Sequence, residues 1–472
     1  MAERPRTGDA VVLVPGVMGS ELVDNLTGSV LWGLADPRWY VSAWTTGTSL
    51  EALRLSAEER VGTYGRVRAT RLLGFPAFAP VLGGLSPYGR LRKGLLAVVR
   101  HPDALADFAY DWRLPVAHNG ALLADFARRH LAAWSAHPAA PAARRPGSGS
   151  PPDPAPRLVL VAHSMGGLVA WHACQDNGLA ALVRTTVTLG TPFFGSPKAA
   201  VILGTGKGAP LPRRRLRRLA ATLPGMYDLL PAHRCVTDGD SARRLTVADV
   251  VELGGDPELA AASLPLGGWQ ATRPPVGHVQ VVGAHQPTVQ ALTLHRGTLS
   301  AHRFTCRPSA GGVVRVDVGG DGTVPRESAQ LPSGGAVPLA QSHGALAATA
   351  ESVLVAQDAV LDRRTGPWLG ETRIGLDLPD IVRAGRPFTF AVEGVESPVD
   401  VRCTVVDLAT GLETDAPHLQ WGEGAIVAKS APLPPGLFQV RADGGGMSPV
   451  TQTLLSTADF ATGSSEPPAG TP

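Results

Sequence analysis

Apolar residues fall along this chain in two textures. As far as about residue 365 they come as short strand-like runs: Val11-Val12-Leu13-Val14 and Leu158-Val159-Leu160-Val161 are unbroken, while Thr185 to Leu189, Val279 to Val282 and Val313 to Val318 admit polar residues. Phe108 to Leu114 reads as one more strand, carrying Tyr110-Asp111-Trp112-Arg113. Helical stretches lie between the runs, and Ala121 to Ala136, apolar on one side and closed by His137-Pro138, is the clearest. A strand apolar at every position is buried on both faces, and strands alternating with helices favour a parallel sheet covered on both sides. The first expectation is an α/β domain over residues 1–365.

Beyond Gly366 the runs shorten and alternate. Ile374-Leu376-Leu378, Phe388-Phe390-Val392, Val401-Cys403-Val405, Ile426-Val427-Ala428 and Leu437-Phe438-Val440 are separated by Gly, Pro and Asp turns. Period-two alternation with turn signals predicts a small all-β sandwich, placed at 370–458 and followed by a disordered polar tail at 459–472. Two stretches interrupt the α/β rhythm. Residues 138–157, rich in Pro, Ala, Gly and Ser, read as a flexible surface insert. Residues 197–277, long and rich in Pro, Gly and Arg, read as a cap or lid between two core strands. No internal repeat is evident.

Composition narrows the class. At 472 residues the chain is long enough for more than one domain, and 44% hydrophobic residues supply a core. A net charge of +3 with both signs mixed along the chain argues against a nucleic-acid partner. The four cysteines, Cys174, Cys235, Cys306 and Cys403, show no paired short spacing, so neither a zinc site nor a disulfide framework is indicated. Met1 to Ala10 is polar and lacks an apolar signal core, and no apolar run reaches membrane-spanning length. The expected location is cytoplasmic, at most peripheral at a membrane.

The chemistry enters at Leu158 to Ala170. An apolar run stops at Ala162-His163-Ser164-Met165-Gly166-Gly167, and a helix-forming stretch follows at once. This is the strand, sharp turn and helix of a nucleophile elbow, in which small flanking residues let strand and helix backbones approach. Ala162 stands where glycine is usual. Ser164 is the candidate nucleophile, and it needs a base that is in turn oriented by an acid. In α/β-hydrolases the partners follow the serine in the order acid, then histidine. Asp321, in Gly319-Gly320-Asp321-Gly322, and His343, in Gln341-Ser342-His343-Gly344, fit that order. Asp317 within a strand is expected to make a structural hydrogen bond, and His285 precedes the acid. His163 and His172 stand too close to the elbow to reach the hydroxyl. The oxyanion donors are expected at the N–H groups of Met165 and of Val17, the latter in Pro15-Gly16-Val17-Met18-Gly19-Ser20.

Taken together these motifs resemble the lecithin:cholesterol acyltransferase family, to which lysosomal phospholipase A2 belongs. The resemblance rests on Val-Leu-Val-Pro-Gly-Val-Met-Gly-Ser at 12–20, Ala-Tyr-Asp-Trp-Arg at 109–113 and Ala-His-Ser-Met-Gly-Gly at 162–167. Leu-Gly-Thr-Pro-Phe-Phe-Gly-Ser at 189–196, Gly-Asp-Gly-Thr-Val-Pro at 320–325 and Ser-His-Gly at 342–344 complete it. It implies an α/β-hydrolase core with a cap or lid insertion, the triad Ser164, Asp321 and His343, and oxyanion donors at Val17 and Met165. It also implies acyl-ester chemistry on lipids, in which an acyl chain moves to Ser164 and then to water or an alcohol, with no metal or cofactor. Animal members carry disulfides near an N-terminal lid, whereas this chain has no cysteine before Cys174. The sandwich falls outside the resemblance, and its sequence does not choose between contacting a partner, contacting carbohydrate and covering one side of the core.

Access to lipid has two candidates. Trp32, Trp39, Tyr40 and Trp44 cluster after the first oxyanion motif, either as an interfacial belt or as a satellite core. Arg213, Arg214 and Arg215, with Arg217 and Arg218, form a basic run suited to anionic headgroups or simply to solvent. The alternatives to a lipid acyl-ester hydrolase or O-acyltransferase are a soluble carboxylesterase on a non-lipid ester and an inactive hydrolase-fold binding protein.

Overall fold

The computed structural model describes residues 5–33, 47–73, 88–141, 154–208, 211–238, 241–264, 274–309, 312–332, 335–363, 373–422 and 425–458. Six strands form the central sheet: β1 (Ala10–Val14), β2 (Leu105–Asp107), β3 (Leu158–His163), β4 (Val183–Leu189), β5 (His278–Ala284) and β6 (Ala336–Ala340). Their order across the sheet is β6-β5-β4-β3-β1-β2, and every pairing is parallel. The unbroken apolar runs explain this: every residue of β1, and Leu158 to Ala162 of β3, is fully buried. The long helix Val116–Ser135 packs against β1 and the helix Met165–Ala173, and Ala350–Val360 packs on β4 and β5.

The order reverses at β1, whose chain continues to β2 on one side while β3 lies on the other. In open parallel sheets the crevice outside the carboxyl ends of such strands is where ligands bind. The register aligns those ends, pairing Val14 with Ala162, His163 with Leu189, and Ala284 with Ala340.

Two expected strands differ from this sheet. Phe108 to Leu114 is not a strand; β2 is the three residues before it. Phe108 N–H still donates to Leu13 in β1, but Tyr110 N–H then turns to the Ser20 hydroxyl and Arg113 N–H to the Asp111 carboxylate. The segment is a buried loop whose backbone is satisfied by side chains rather than by a ladder. Val313 to Val318 is not a core strand either: Gly312–Val316 pairs antiparallel with Thr305–Ser309 in a two-stranded ribbon outside the central sheet.

Between β4 and β5 lie the helices Pro197–Thr205, Arg213–Ala220, Pro224–Tyr227, Val247–Glu252 and Pro257–Ser263. The strands Val236–Asp238 and Ser241–Arg243, also from this stretch, join Ala291–His295 and Thr298–His302 in a small sheet. Near β2, Arg113 is fully buried and clasps two carboxylates: Nη2 lies 2.6 Å from Asp111 Oδ2 and 2.9 Å from Glu59 Oε1. Nε also donates to Asp111, and Nη1 donates to the Leu53 carbonyl.

After residue 373 the chain forms two mostly antiparallel sheets. One has the order Gly375–Asp377, Phe388–Glu393, Ile426–Ser430, His418–Trp421. The other runs Ile381–Arg383, Val450–Thr457, Gly436–Asp443, Arg402–Asp407, Glu413–Asp415. Phe390, Val392, Val405, Ile426, Phe438, Val440 and Leu454 share one core between them, which makes this unit a β-sandwich.

Residues 142–153 of the expected flexible insert, the expected tail at 459–472, and Trp39, Tyr40 and Trp44 lie outside the described residues. Trp32 is described, and it corrects the interfacial expectation. It is 1% exposed, sets its indole edge against Trp112 at 5.4 Å between centroids, and donates from Nε1 to the Met18 carbonyl. A ring so enclosed packs the interior; it does not meet headgroups.

Candidate active site

Ser164 follows β3 at φ 52° and ψ −129°, a conformation that few non-glycine residues adopt. The strain puts the serine at the apex between strand and helix, as the elbow requires. Its backbone N–H donates to the Leu189 carbonyl at the end of β4, so the apex is tied to the sheet. Close packing sets the neighbours. A Cβ on Gly166 would stand 2.2 Å from the Pro15 carbonyl oxygen, so only glycine lets the loop after β1 lie against the elbow.

His343, in the loop after β6, reaches the serine: its Nε2 lies 2.8 Å from Ser164 Oγ. Its Nδ1 lies 2.7 Å from Asp321 Oδ2. A carboxylate only accepts, so Nδ1 carries the proton and Nε2 is left to accept from the serine hydroxyl. Asp321 is 1% exposed, and its other oxygen accepts the N–H groups of Thr323 and Val324 at 2.9 and 2.6 Å. The acid comes from a loop that returns over the end of β5. A Cβ on Gly283 would stand 2.2 Å from Asp321 Cβ, so a side chain there would expel the acid. The three side chains expected from the sequence thus form one hydrogen-bonded chain, with two oriented protons and no gap.

The rivals stand elsewhere. Asp317 Oδ1 accepts from Gln290 Nε2 and the Gly319 N–H. His172 faces the electrostatic field of Asp228, a carboxyl that burial raises above the ordinary carboxylate range. His163 makes no bond to the serine hydroxyl, yet it is part of the site in a way its sequence position did not suggest. Its Nε2 lies 3.0 Å from the His343 carbonyl oxygen and its Nδ1 lies 3.0 Å from Tyr88 Oη. Burial, reinforced by His343, pushes this imidazole down to about 3, so it is neutral. A carbonyl must receive a proton, hence Nε2–H donates to His343 and Nδ1 accepts from the Tyr88 hydroxyl. Tyr88 Oη in turn accepts the Gly16 N–H at 2.8 Å. One relay therefore joins the loop after β1 to the backbone of His343. Nothing in local sequence marks Tyr88, which is brought in from 75 residues upstream of His163.

Val17 and Met165 flank this contact. Val17 precedes Met18, a non-glycine residue at φ 62°, and Met165 opens the helix after the serine. Among the described residues neither N–H meets a protein acceptor. Arg213 and Arg214 are exposed at the start of the helix Arg213–Ala220, Arg215 is half-buried, and Leu216 and Leu219 are buried beneath them. Among the described residues no helix is long and apolar enough to cross a membrane.

Residues 153–249, which include the elbow, match the family model of lecithin:cholesterol acyltransferase. No curated protein matches the chain. Among solved structures it is similar to the Tle4–Tli4 complex, with 15% identity and a TM-score of 0.47 over 75% of this chain and 98% of that one. It is also similar to Bacillus licheniformis lipase BlEst2 in its propeptide form, with 13% identity and a TM-score of 0.34 over 96% and 94%. Phospholipase PlaB from Legionella pneumophila follows, with 11% identity and a TM-score of 0.24 over 94% and 90%. The chain carries an α/β-hydrolase core that is lecithin:cholesterol acyltransferase-like around Ser164.

Proposed function

We propose that this protein is a serine-dependent acyl-ester hydrolase or O-acyltransferase acting on lipid through an acyl-enzyme. The observation that carries the reading is the chain from Ser164 Oγ to His343 Nε2 at 2.8 Å and from His343 Nδ1 to Asp321 Oδ2 at 2.7 Å. His343 takes the proton as Ser164 Oγ attacks the ester carbonyl, and Asp321 stabilises the imidazolium that forms. The Val17 and Met165 N–H groups receive the oxyanion. Collapse of the tetrahedral adduct expels the alcohol, which takes the proton from His343. Water or a lipid alcohol, deprotonated by the same imidazole, then attacks the acyl carbonyl, and Ser164 Oγ leaves as it takes that proton back from His343. No step needs a metal or cofactor.

The match of the elbow segment to the lecithin:cholesterol acyltransferase family supports lipid as the acyl donor. In this reading residues 197–277 cap the site, and the exposed Arg213 and Arg214 meet anionic headgroups at a membrane surface. Product analysis after incubation with mixed phospholipids and an alcohol acceptor tests it. Free fatty acid or a new ester should form with the wild type and vanish with Ser164→Ala, whose fold should be unchanged by circular dichroism. Turnover that survives Ser164→Ala would refute the assignment.

The burial of Trp32 favours a second reading, a soluble carboxylesterase, because it removes one expected interfacial ring. Flotation with anionic vesicles separates the two. Binding that is lost in Arg213→Glu/Arg214→Glu supports the lipid surface, while high turnover of short monomeric esters with no vesicle binding supports the soluble enzyme.

A further inference from the structure

We propose that the C-terminal β-sandwich holds the loops of His343 and Asp321 in place through two buried carboxamides, those of Gln341 and Gln286. Both are positioning residues, and the proposal rests on the serine-hydrolase reading above. Gln341, two residues before His343, is 3% exposed. Its Nε2 donates to the Pro449 carbonyl at 2.9 Å, and its Oε1 accepts the Thr451 N–H at 2.9 Å and the Ser342 N–H at 3.0 Å. The Ser342 hydroxyl donates to the Thr451 carbonyl. The residue pair ahead of the base is thus bonded to the strand Val450–Thr457 as a neighbouring strand would be.

Gln286 does the same for the acid. It is 2% exposed, and its N–H donates to the Gly320 carbonyl at 3.0 Å, one residue from Asp321. Its Nε2 donates to the Ile374 carbonyl at 2.8 Å and its Oε1 accepts the Leu376 N–H at 3.1 Å. Leu376 lies in the strand Gly375–Asp377 of the other sheet of the sandwich, and Ile374 comes just before it. Each sheet therefore grips the loop of one member of the His343–Asp321 pair.

The chemistry makes the grip directional. A carboxamide that both donates to and accepts from one backbone segment fixes distance and plane together, and in a buried site a group left unpaired is costly. The bonds act on segments within two residues of the reacting imidazole and its carboxylate. A displacement of about 1 Å at such a site costs on the order of a hundredfold in rate. A separate tie offers the control: Arg303 bonds Asp377 at 2.6 Å and Glu393 at 3.1 Å, joining the sandwich to the core through a guanidinium that pairs with neither Asp321 nor His343.

The experiment uses the full chain, an activated monomeric ester for kcat and KM, a fluorophosphonate for the labelling rate of Ser164, and thermal melts. Gln341→Met and Gln286→Met keep the volume and remove the polar grip. Each should lose about ten- to a hundredfold in kcat and labelling rate, with KM within about twofold and a cooperative melt. Arg303→Met should lower the melting temperature and leave kcat unchanged. Folded Gln341→Met and Gln286→Met with wild-type kcat would overturn the proposal, as would an Arg303→Met loss in kcat equal to theirs. Should either methionine variant fail to fold, Ser342→Ala decides: a several-fold loss in kcat supports the grip, and wild-type kcat sinks it. A wild type that neither turns over ester nor takes up label instead sinks the hydrolase reading, and the proposal with it.

Discussion

Asp321 and His343 are joined twice: the His343 side chain meets the Asp321 carboxylate at 2.7 Å, and the His343 N–H donates to the Asp321 main-chain carbonyl, also at 2.7 Å. The second bond needs no carboxylate, so a change of the acid should leave the imidazole near its place but in the wrong protonation state. Asp321→Asn can present an N–H to Nδ1 and shift the proton to Nε2, which then cannot accept from Ser164. We expect kcat to fall about 10³–10⁴-fold, less than for loss of the serine, with KM little changed. Steady-state kinetics on a monomeric ester checks this, and a loss below tenfold would contradict it.

The relay from Gly16 through Tyr88 and His163 to the His343 carbonyl carries a second expectation. Tyr88→Phe removes the hydroxyl and leaves two partners unmatched. We expect kcat lower by about tenfold or more at unchanged KM, since each of the two buried bonds lost is worth about 1–1.5 kcal/mol. An unchanged kcat in a folded variant would show that the relay is packing alone.

Acid should unfold the protein early. Burial pushes His163 down to about 3 and His278 down to about 4, from an ordinary 6.5. Below pH 6.5 the unfolded chain takes up these protons and the folded chain does not. Stability is therefore whole above that value and falls as pH drops, by about 1.4 kcal/mol per pH unit for each histidine. Asp228, raised by burial, works in the opposite sense toward the acid end. Denaturant midpoints measured between pH 7 and pH 5 should decline; a flat or rising series would contradict the assignment.

Arg113 is fully buried between Asp111 and Glu59. Arg113→Met strands two carboxylates beside an apolar chain, and we expect a loss of about 3–5 kcal/mol. Glu59 keeps its bond to Arg66, so the cost should fall mainly on Asp111. Melting curves test this directly, and a change below 1 kcal/mol would mean that water reaches the cluster.

The residues that could be read in advance share a local signature. β1 is apolar throughout and β3 as far as Ala162, and the turn from Ala162 to Gly167 tolerates few sequences, so both strands and the serine follow from neighbours in the chain. Phe108 to Leu114 misleads because burial, not pairing, selects its aromatics, and its backbone bonds go to Ser20 and Asp111. Val313 to Val318 misleads because a β-branched run does not say which sheet it joins. Trp32 misleads because an indole has the same composition against Trp112 as against a headgroup. Tyr88, Gln286 and Gln341 leave no trace at all: the partners that give them their place are 72 to 110 residues away, the Gly16 loop and His163 for Tyr88 and the sandwich for the two glutamines, and only folding brings them together.

The bonds between Gln341 and residues 449–451 span about a hundred positions of chain. A polypeptide made from its amino end exposes the elbow, the acid and the imidazole long before the strand that steadies them exists. Nascent chains would thus attack the ester bonds around them only slowly, and full reactivity would arrive when the last sheet closes.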